Sequence, residues 1–449
     1  MQADNSKPME QALVQQNPHW NGRPYGGIVE RTIMRNLREK QDLPHIQILT
    51  GVRRCGKSTA FKLLINDLLK AGVSPKAILN VNLDAPAFIP YWAEPGRLQQ
   101  IVDTAERLTG TSVEWLFLDE IQQLTDWEVF VKAAYDARRF RKIYITGSNS
   151  NLLANRFSSM LAGRYFANEM RPFSLKEVFA ASGVETLLEG YQNTPLLLRL
   201  TGSCIKYGTF PEIVLGKMGE SVKAELLRSY FDSIVQKDCI IYNTVRDPHL
   251  FYRAVNYLLQ NAGNRFSPQQ LGKAIGSNEN TMNAYLNYLC DSYICSDIRN
   301  FSYSQKEAKR SDHKCYCIDN GLMQANTLRF SPDSGRFFEN LVYNELVNNG
   351  YENISFDNSK GECNFLAWRD GGLHAFQACY ELTEQNRRRE LAGLSVPQTA
   401  LASQTVITYN QKEDADGVRV RPLWEWVLEE KQAYEAELCA TASNVRRSP

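Results

Sequence analysis

The sequence predicts an α/β fold: a parallel-sheet P-loop domain, then a helical and winged-helix segment, then a small α/β unit. Three observations carry that reading. Between residues 28 and 172, short apolar runs alternate with stretches of period 3.6, the pattern of a parallel sheet covered on both faces. A glycine-containing stretch, Gly51 to Ser58, joins the first apolar run to the first long amphipathic stretch. After residue 260 the alternation stops, and a helix-turn-helix pattern leads into aromatic and β-branched runs.

The elements follow in order. Residues 1–27 are rich in Gln, Asn, Pro and Gly without periodicity and read as a flexible tail. Ile28 to Lys40 places Ile28, Ile33, Met34 and Leu37 at near-helical spacing. Strands are expected at Ile46 to Thr50, Ala77 to Leu83, Val113 to Asp119 and Lys142 to Thr146. The intervening helices are Ser58 to Lys70, Arg97 to Leu108 and Trp127 to Arg138. Further on, Ser267 caps a helix that Gly276 ends, and Glu279 to Leu289 forms the second helix of the pair. A helix from Phe337 to Asn348 then leads into strands near 352–357, 363–368 and 373–379. The expected organisation is a tail over 1–27, the P-loop domain over 28–172 and a helical connection over 173–260. A winged-helix-like unit over 261–325, a small α/β unit over 326–432 and a second tail over 433–449 follow.

Composition narrows the function classes. Hydrophobic residues make up 43% and charged residues 22% of the 449, as in an ordinary folded protein. Lys and Arg number 51 against 50 Asp and Glu, so no global field draws the chain to nucleic acid or an anionic membrane. No apolar run is long enough to span a bilayer, and the start lacks the features of a secretory signal. The ten cysteines show no Cys-x-x-Cys spacing, so a zinc site or a disulfide framework is not indicated. These features fit reduced thiols in a cytoplasmic protein with no membrane partner.

Gly51, Val52, Arg53, Arg54, Cys55, Gly56, Lys57 and Ser58 match G-x-x-x-x-G-K-[ST], with Thr59 continuing the helix. Glycines let successive amides curl around phosphates, Lys57 brings a charge to the β and γ oxygens, and the Ser58 hydroxyl suits Mg²⁺. A strand before the loop and a helix after it supply the context the chemistry needs. A second apolar strand ends in Asp119 and Glu120. Two acids on a buried strand are costly unless a metal or substrate meets them. Asp119 is placed to hold Mg²⁺ with Ser58, and Glu120 to polarise the attacking water. A third strand ends at Ser148 and Asn149, either of which suits the attacking water or the γ-phosphate, although capping the next helix would explain Asn149 equally well. Arg164, at the start of a further expected strand, is a candidate to neutralise leaving-group charge within the subunit or across to a neighbour.

With these residues identified, the chain resembles the prokaryotic AAA-type P-loop ATPases whose C-terminal half is catalogued only as a domain of unknown function. The stretches that carry the resemblance are GVRRCGKST (51–59), LFLDEIQQL (116–124), ITGSNS (145–150), LAGR (161–164) and PFSLKEVF (172–179). YGTFPEIV (207–214), YCIDNGL (316–322) and GRFFENLVYNEL (335–346) continue it. The resemblance implies an AAA-like core that uses ATP, a winged-helix segment and a C-terminal fold similar to restriction-endonuclease-like nucleases. It does not imply a cellular role.

The expected activity is Mg²⁺-dependent ATP hydrolysis by a homo-oligomeric motor or switch that works on a protein partner. The alternative is a nucleotide-gated DNA-binding or DNA-processing protein. Against it, the second helix of the helix-turn-helix offers Asn278, Asn280 and Asn283 but no Lys or Arg. Other cations form local groups: Lys306, Lys309, Arg310, His313 and Lys314 in the expected wing, Arg387 to Arg389, and Arg138, Arg139, Arg141 and Lys142. Solvated or structural roles suit all three groups. In the nuclease-like segment, Asn364, Gln377 and Cys379 stand where such nucleases place an aspartate, a glutamate and a lysine. That predicts an inactive centre, with only Glu362 and Glu339 left as nearby acids.

Overall fold

The computed structural model describes residues 6–93, 96–150, 160–302, 312–326, 334–359, 361–396, 400–415 and 417–429. The chain divides into two compact units, residues 1–170 and 171–449.

The first unit is a five-stranded sheet: β1 (Ile46–Thr50), β2 (Ile78–Asn82), β3 (Trp115–Asp119), β4 (Lys142–Gly147) and β5 (Tyr165–Glu169). The strand order is β2-β3-β4-β1-β5 and every pairing is parallel. Helices α1 (Ser6–Gln16), α2 (Ile33–Glu39), α3 (Lys57–Lys70), α4 (Arg97–Thr109) and α5 (Trp127–Asp136) accompany it. Alternate residues of β3 serve opposite faces, as the strand period of two requires. Leu116 and Leu118 join the core that contains Ile101 and Val102 of α4 and Val131 of α5. Phe117 instead stacks on Tyr144 at 4.6 Å and meets Phe61 of α3 edge-on. Because the sheet is covered on both sides, β1 and β3 are buried at every position.

The N-terminal residues depart from the expected tail. Over its described part, the segment folds against β2. Helix α1 buries Met9 and Leu13. At its end, the side-chain amides of Gln16 and Asn17 copy the bonding of a sixth strand along the open edge of the sheet. Asn17 donates to Asn80 O at 2.9 Å and accepts from Asn80 N at 2.8 Å, and Gln16 bonds Asn82 in the same two-way manner. The Trp20 indole adds a bond to Ile78 O at 2.8 Å. The Gln and Asn content that suggested a solvated segment here caps a strand edge.

The second unit begins with α6 (Leu175–Ala181), α7 (Leu187–Gln192), α8 (Thr194–Tyr207), α9 (Pro211–Leu215), α10 (Glu220–Ile234) and α11 (Pro248–Gln260). Next come α12 (Pro268–Ile275) and α13 (Glu279–Asp291), which pack on each other, and an antiparallel sheet of β6 (Arg265–Phe266), β7 (Cys295–Arg299) and β8 (His313–Cys317), whose β7 meets α13. Ser267 and Gln270 form a capping box on α12, and Gly276 ends it with φ 78. The chain continues through α14 (Asn320–Ala325) and α15 (Ser334–Asn348) into a mixed six-stranded sheet. Its strands are β9 (Glu352–Asp357), β10 (Cys363–Arg369), β11 (Gly372–Ala378), β12 (Ser403–Thr408), β13 (Glu413–Ala415) and β14 (Val418–Pro422), with α16 (Glu384–Gly393) between β11 and β12.

Three stretches that carry the resemblance meet in this unit and explain one another. Gly208 has φ 74, and a Cβ there would lie 1.8 Å from an Asp319 carboxylate oxygen. That carboxylate accepts from both the backbone N–H and the hydroxyl of Thr209. Asn340 of α15 bonds the Cys317 backbone in both directions, at 2.8 and 3.0 Å. These residues act as joints between segments.

The cation groups mostly resolve into pairs. His313 and Lys314 are buried in β8, and they do not extend from a wing. His313 lies 2.8 Å from Asp297, and Lys314 lies between Glu339 and Glu362. Lys306, Lys309 and Arg310 lie outside the described residues, as do the expected tail over 433–449 and residues 1–5. Arg139 faces Asp103 and Glu106, Arg141 meets Glu114 at 2.8 Å, and Lys142 is buried on the carbonyls of Lys40 and Leu43. Arg387 pairs with Glu413, and Arg389 with Glu390.

Candidate nucleotide site

Strand β1 ends at Thr50, and the chain turns through residues 51–56 before α3 begins at Lys57. Three residues of the turn have positive φ: Gly51 at 144, Arg54 at 69 and Gly56 at 110. Gly51 is required by space as well as by backbone, since a Cβ there would sit 2.0 Å from the Met170 carbonyl oxygen. Lys57 is buried, and its ammonium donates to the carbonyls of Gly51 at 2.8 Å and Val52 at 3.1 Å. It therefore sits inside the curl of the loop. Val52 and Cys55 are fully buried, and the loop's underside is tied down by Arg31, which donates to Cys55 O at 2.7 Å. Burial pushes the Cys55 thiol up, so it is protonated and shielded. Arg53 lies 3.9 Å from Asp84, beyond the end of β2.

The two acids stand at the tip of β3. Asp119 is buried and hydrogen-bonded to the hydroxyls of Ser58 and Thr146. Burial, and then the charge of Glu120, push the Asp119 carboxyl up, while these hydroxyls pull the other way. Glu120 adopts φ 56, a left-handed conformation that is uncommon outside glycine. Its backbone N–H donates to Thr146 Oγ1 at 3.0 Å, so one hydroxyl at the tip of β4 fixes both acids. Burial opposes the charge on Glu120, but Lys57, Arg53 and hydrogen bonds from Gln122 and Ser148 outweigh it and hold the carboxyl below its ordinary range. Glu120 is thus ionised at neutral pH.

Most of the sequence-predicted residues converge here. The loop from Gly51 to Thr59, Asp119, Glu120 and Ser148 share one end of the sheet, because β1, β3 and β4 run parallel and all end there. Ser148 is within hydrogen-bond reach of Glu120, and Asn149 is buried next to it in the chain.

Arg164 is not part of this constellation. Its neighbour Tyr165 pairs with Ile46, the first residue of β1, so Arg164 lies at the opposite end of the sheet. A five-residue strand spans about 15 Å, beyond the reach of an arginine side chain to its own loop. It forms an ion pair with Asp136 at 3.0 Å instead. Arg31, Thr146, Gln122 and Asp84 belong to the site but were not singled out from the sequence. Thr146 and Gln122 lie within the quoted motif stretches, and that proximity was the signal available for them.

Two family models match parts of the chain. Residues 44–179 match a family described as an AAA domain, and residues 202–333 match a domain of unknown function, DUF8612. An uncharacterised protein of Methanocaldococcus jannaschii, MJ1544, is 30% identical over 427 residues, covering 89% of this chain and 91% of that one. The chain belongs to the same family as MJ1544. An uncharacterised protein of Haemophilus influenzae is 26% identical over 410 residues, covering 90% of this chain and 99% of that one. Among solved structures, the Aeropyrum pernix Orc1 protein in complex with DNA aligns at 12% identity over 66% of this chain and 92% of that one, with a TM-score of 0.31. The Saccharomyces cerevisiae Hsp104–ADP complex aligns at 13% identity over 64% and 41%, with a TM-score of 0.33. At these scores neither likeness carries a conclusion. The AAA-domain match over residues 44–179, together with the loop, supports a nucleotide-binding AAA-like protein. No described helix is long and apolar enough to cross a membrane.

Proposed function

We propose that the protein binds ATP with Mg²⁺ and hydrolyses the β–γ phosphoanhydride, working as a motor or switch on a protein partner. The observation that supports this best is the place of Glu120, directly after Asp119 at the tip of β3, with its backbone fixed by Thr146 and its carboxylate held by Gln122. An acid in that position suits taking a proton from water attacking the γ-phosphate. Lys57 and the loop amides bind and orient the phosphates. Ser58 and Asp119 offer two hard oxygen donors in mutual contact, a set that fits Mg²⁺. When bound, Mg²⁺ would neutralise charge on the β and γ oxygens. Ser148 and Asn149 face the same end of the sheet and suit sensing the γ-phosphate.

The second unit, read as winged-helix-like and nuclease-like, suits relaying the nucleotide state to the partner. DNA is not favoured as that partner, because α13 carries no Lys or Arg. Arg164, out of reach of its own loop, suits a role across a subunit interface, so ATP is expected to promote self-association. Replacing Lys57 with Ala should weaken ATP binding by tenfold or more, as a charge-assisted phosphate contact is lost. Fluorescent-nucleotide titration tests this, and an unchanged affinity in Lys57→Ala would remove the phosphate site from the reading.

A further inference from the structure

The turn after Glu120 reaches back over the tips of three strands. Residues Ile121–Gln123 form a single 3-10 turn, and its two glutamines point to different strands. The Gln123 amide donates to Asp84, at the end of β2, at 3.0 Å, and Asp84 faces Arg53 of the phosphate loop. The Gln122 amide nitrogen donates to Glu120 Oε2 and also lies 3.3 Å from Ser148 Oγ, beyond the end of β4. Ser148 in turn bonds Glu120. The three side chains therefore close a ring. The other end of the same amide, Gln122 Oε1, is buried without a hydrogen-bond partner among the described residues.

The chemistry fixes the orientation of that amide. The Gln122 nitrogen, and not its oxygen, lies against both the Glu120 carboxylate oxygen and the Ser148 hydroxyl, so the NH₂ group faces these two acceptors. Turning the amide over would place a carbonyl oxygen against a carboxylate oxygen and lose both donated bonds. The amide has two N–H groups, one for each partner, so a single side chain locks the rotamer of Glu120 and ties it to Ser148. A carboxylate carried on a left-handed residue after a strand end needs such a restraint, because side-chain rotamer freedom costs alignment with the attacking water.

We propose that Gln122 is a positioning residue for hydrolysis, its amide clamping the Glu120 carboxylate to the Ser148 hydroxyl at the tip of β4. This rests on the reading of Glu120 as the group that activates water. Gln122 itself does not touch the phosphates. Its removal therefore acts on kcat and leaves ATP binding alone.

The test is steady-state ATP turnover of Gln122→Ala and of the near-isosteric Gln122→Glu, each also placed in the Glu120→Gln and Ser148→Ala backgrounds. Gln122→Ala should lower kcat about tenfold with KM for ATP within twofold of the parent. Gln122→Glu keeps the shape but sets a second carboxylate against Glu120, and should lose more. In the Glu120→Gln and Ser148→Ala backgrounds the effect of Gln122→Ala should shrink, because residues acting through one ring are not additive. A side chain that merely supports the turn would give the same fold-loss in every background. Parental kcat in both Gln122 variants, or fully additive losses, would overturn the proposal. The base assignment fails separately, through Glu120→Gln turning over at the parental rate.

Discussion

At the scale of single residues, the site depends on the tip of β4 as much as on the acids themselves. Thr146 is fully buried, bonds the Asp119 carboxylate and accepts the Glu120 N–H. Thr146→Val keeps the volume and removes the oxygen, leaving a backbone donor unsatisfied beside two acids. Turnover should fall roughly tenfold, equivalent to about 1.4 kcal/mol, with the melting temperature lowered by a few degrees. Steady-state phosphate release and thermal melting check this, and parental turnover would show that the hydroxyl does not organise the acids. Residues of this kind were hard to read from the sequence. Lys57, Ser58, Asp119 and Glu120 announce themselves because a loop of fixed spacing and two acids on an apolar strand are chemically expensive. Thr146 sits inside a strand where threonine is ordinary, and Arg31 precedes its partner Cys55 by 24 residues with nothing local to mark it. Only the parallel register of β3 and β4, and the fold of the segment before β1, reveal their partners.

At the scale of elements, strands β1 to β4 and helices α3 to α5 follow from apolar period, and their observed limits fall within a few residues of the expected ones. The N-terminal segment was misread because polar amides can satisfy a sheet edge as well as solvent, and composition does not distinguish the two. The C-terminal strands were legible, but the contents of their cleft were less so. This cleft, about 660 Å³, is lined by Glu339, Glu362, Asn364 and Gln377 among others. Asn364 and Gln377 spend their amides on the neighbouring strand: Ala378 N donates to Asn364 at 2.9 Å, and Asn364 N donates to Gln377 at 3.0 Å. The two acids already share a cation, since Lys314 lies 3.4 Å from Glu339 and 2.5 Å from Glu362. A divalent ion would have to displace a buried ammonium, and Glu390, a further acid of the cleft, is already held by Gln377 and Arg389. Plasmid and single-stranded DNA incubated with the protein in Mg²⁺ or Mn²⁺ should remain intact. Cleavage lost in Glu362→Ala but kept in Lys57→Ala would show a working nuclease instead.

At the scale of the whole molecule, the proposed hydrolysis needs a second copy if Arg164 is to take part. Within its own subunit that arginine is an ion-pair partner of Asp136, at the far end of the sheet from the loop. Specific ATPase activity should therefore rise with protein concentration in the parent. In Arg164→Ala it should stay at the low, dilute value while ATP affinity is retained. Activity measured across a dilution series with sedimentation alongside decides it, and a concentration-independent rate from a monomer would contradict the interface. The central claim concerns Glu120. It is tested most directly by a single-turnover experiment, in which protein in excess over radiolabelled ATP and Mg²⁺ is followed for phosphate formation. The parent should convert its bound ATP to ADP and phosphate. Glu120→Gln should bind the same amount of ATP and keep it intact over the same interval, slower by a factor of a hundred or more. Equal conversion in the two proteins would contradict the assignment of Glu120 and the hydrolytic mechanism built on it.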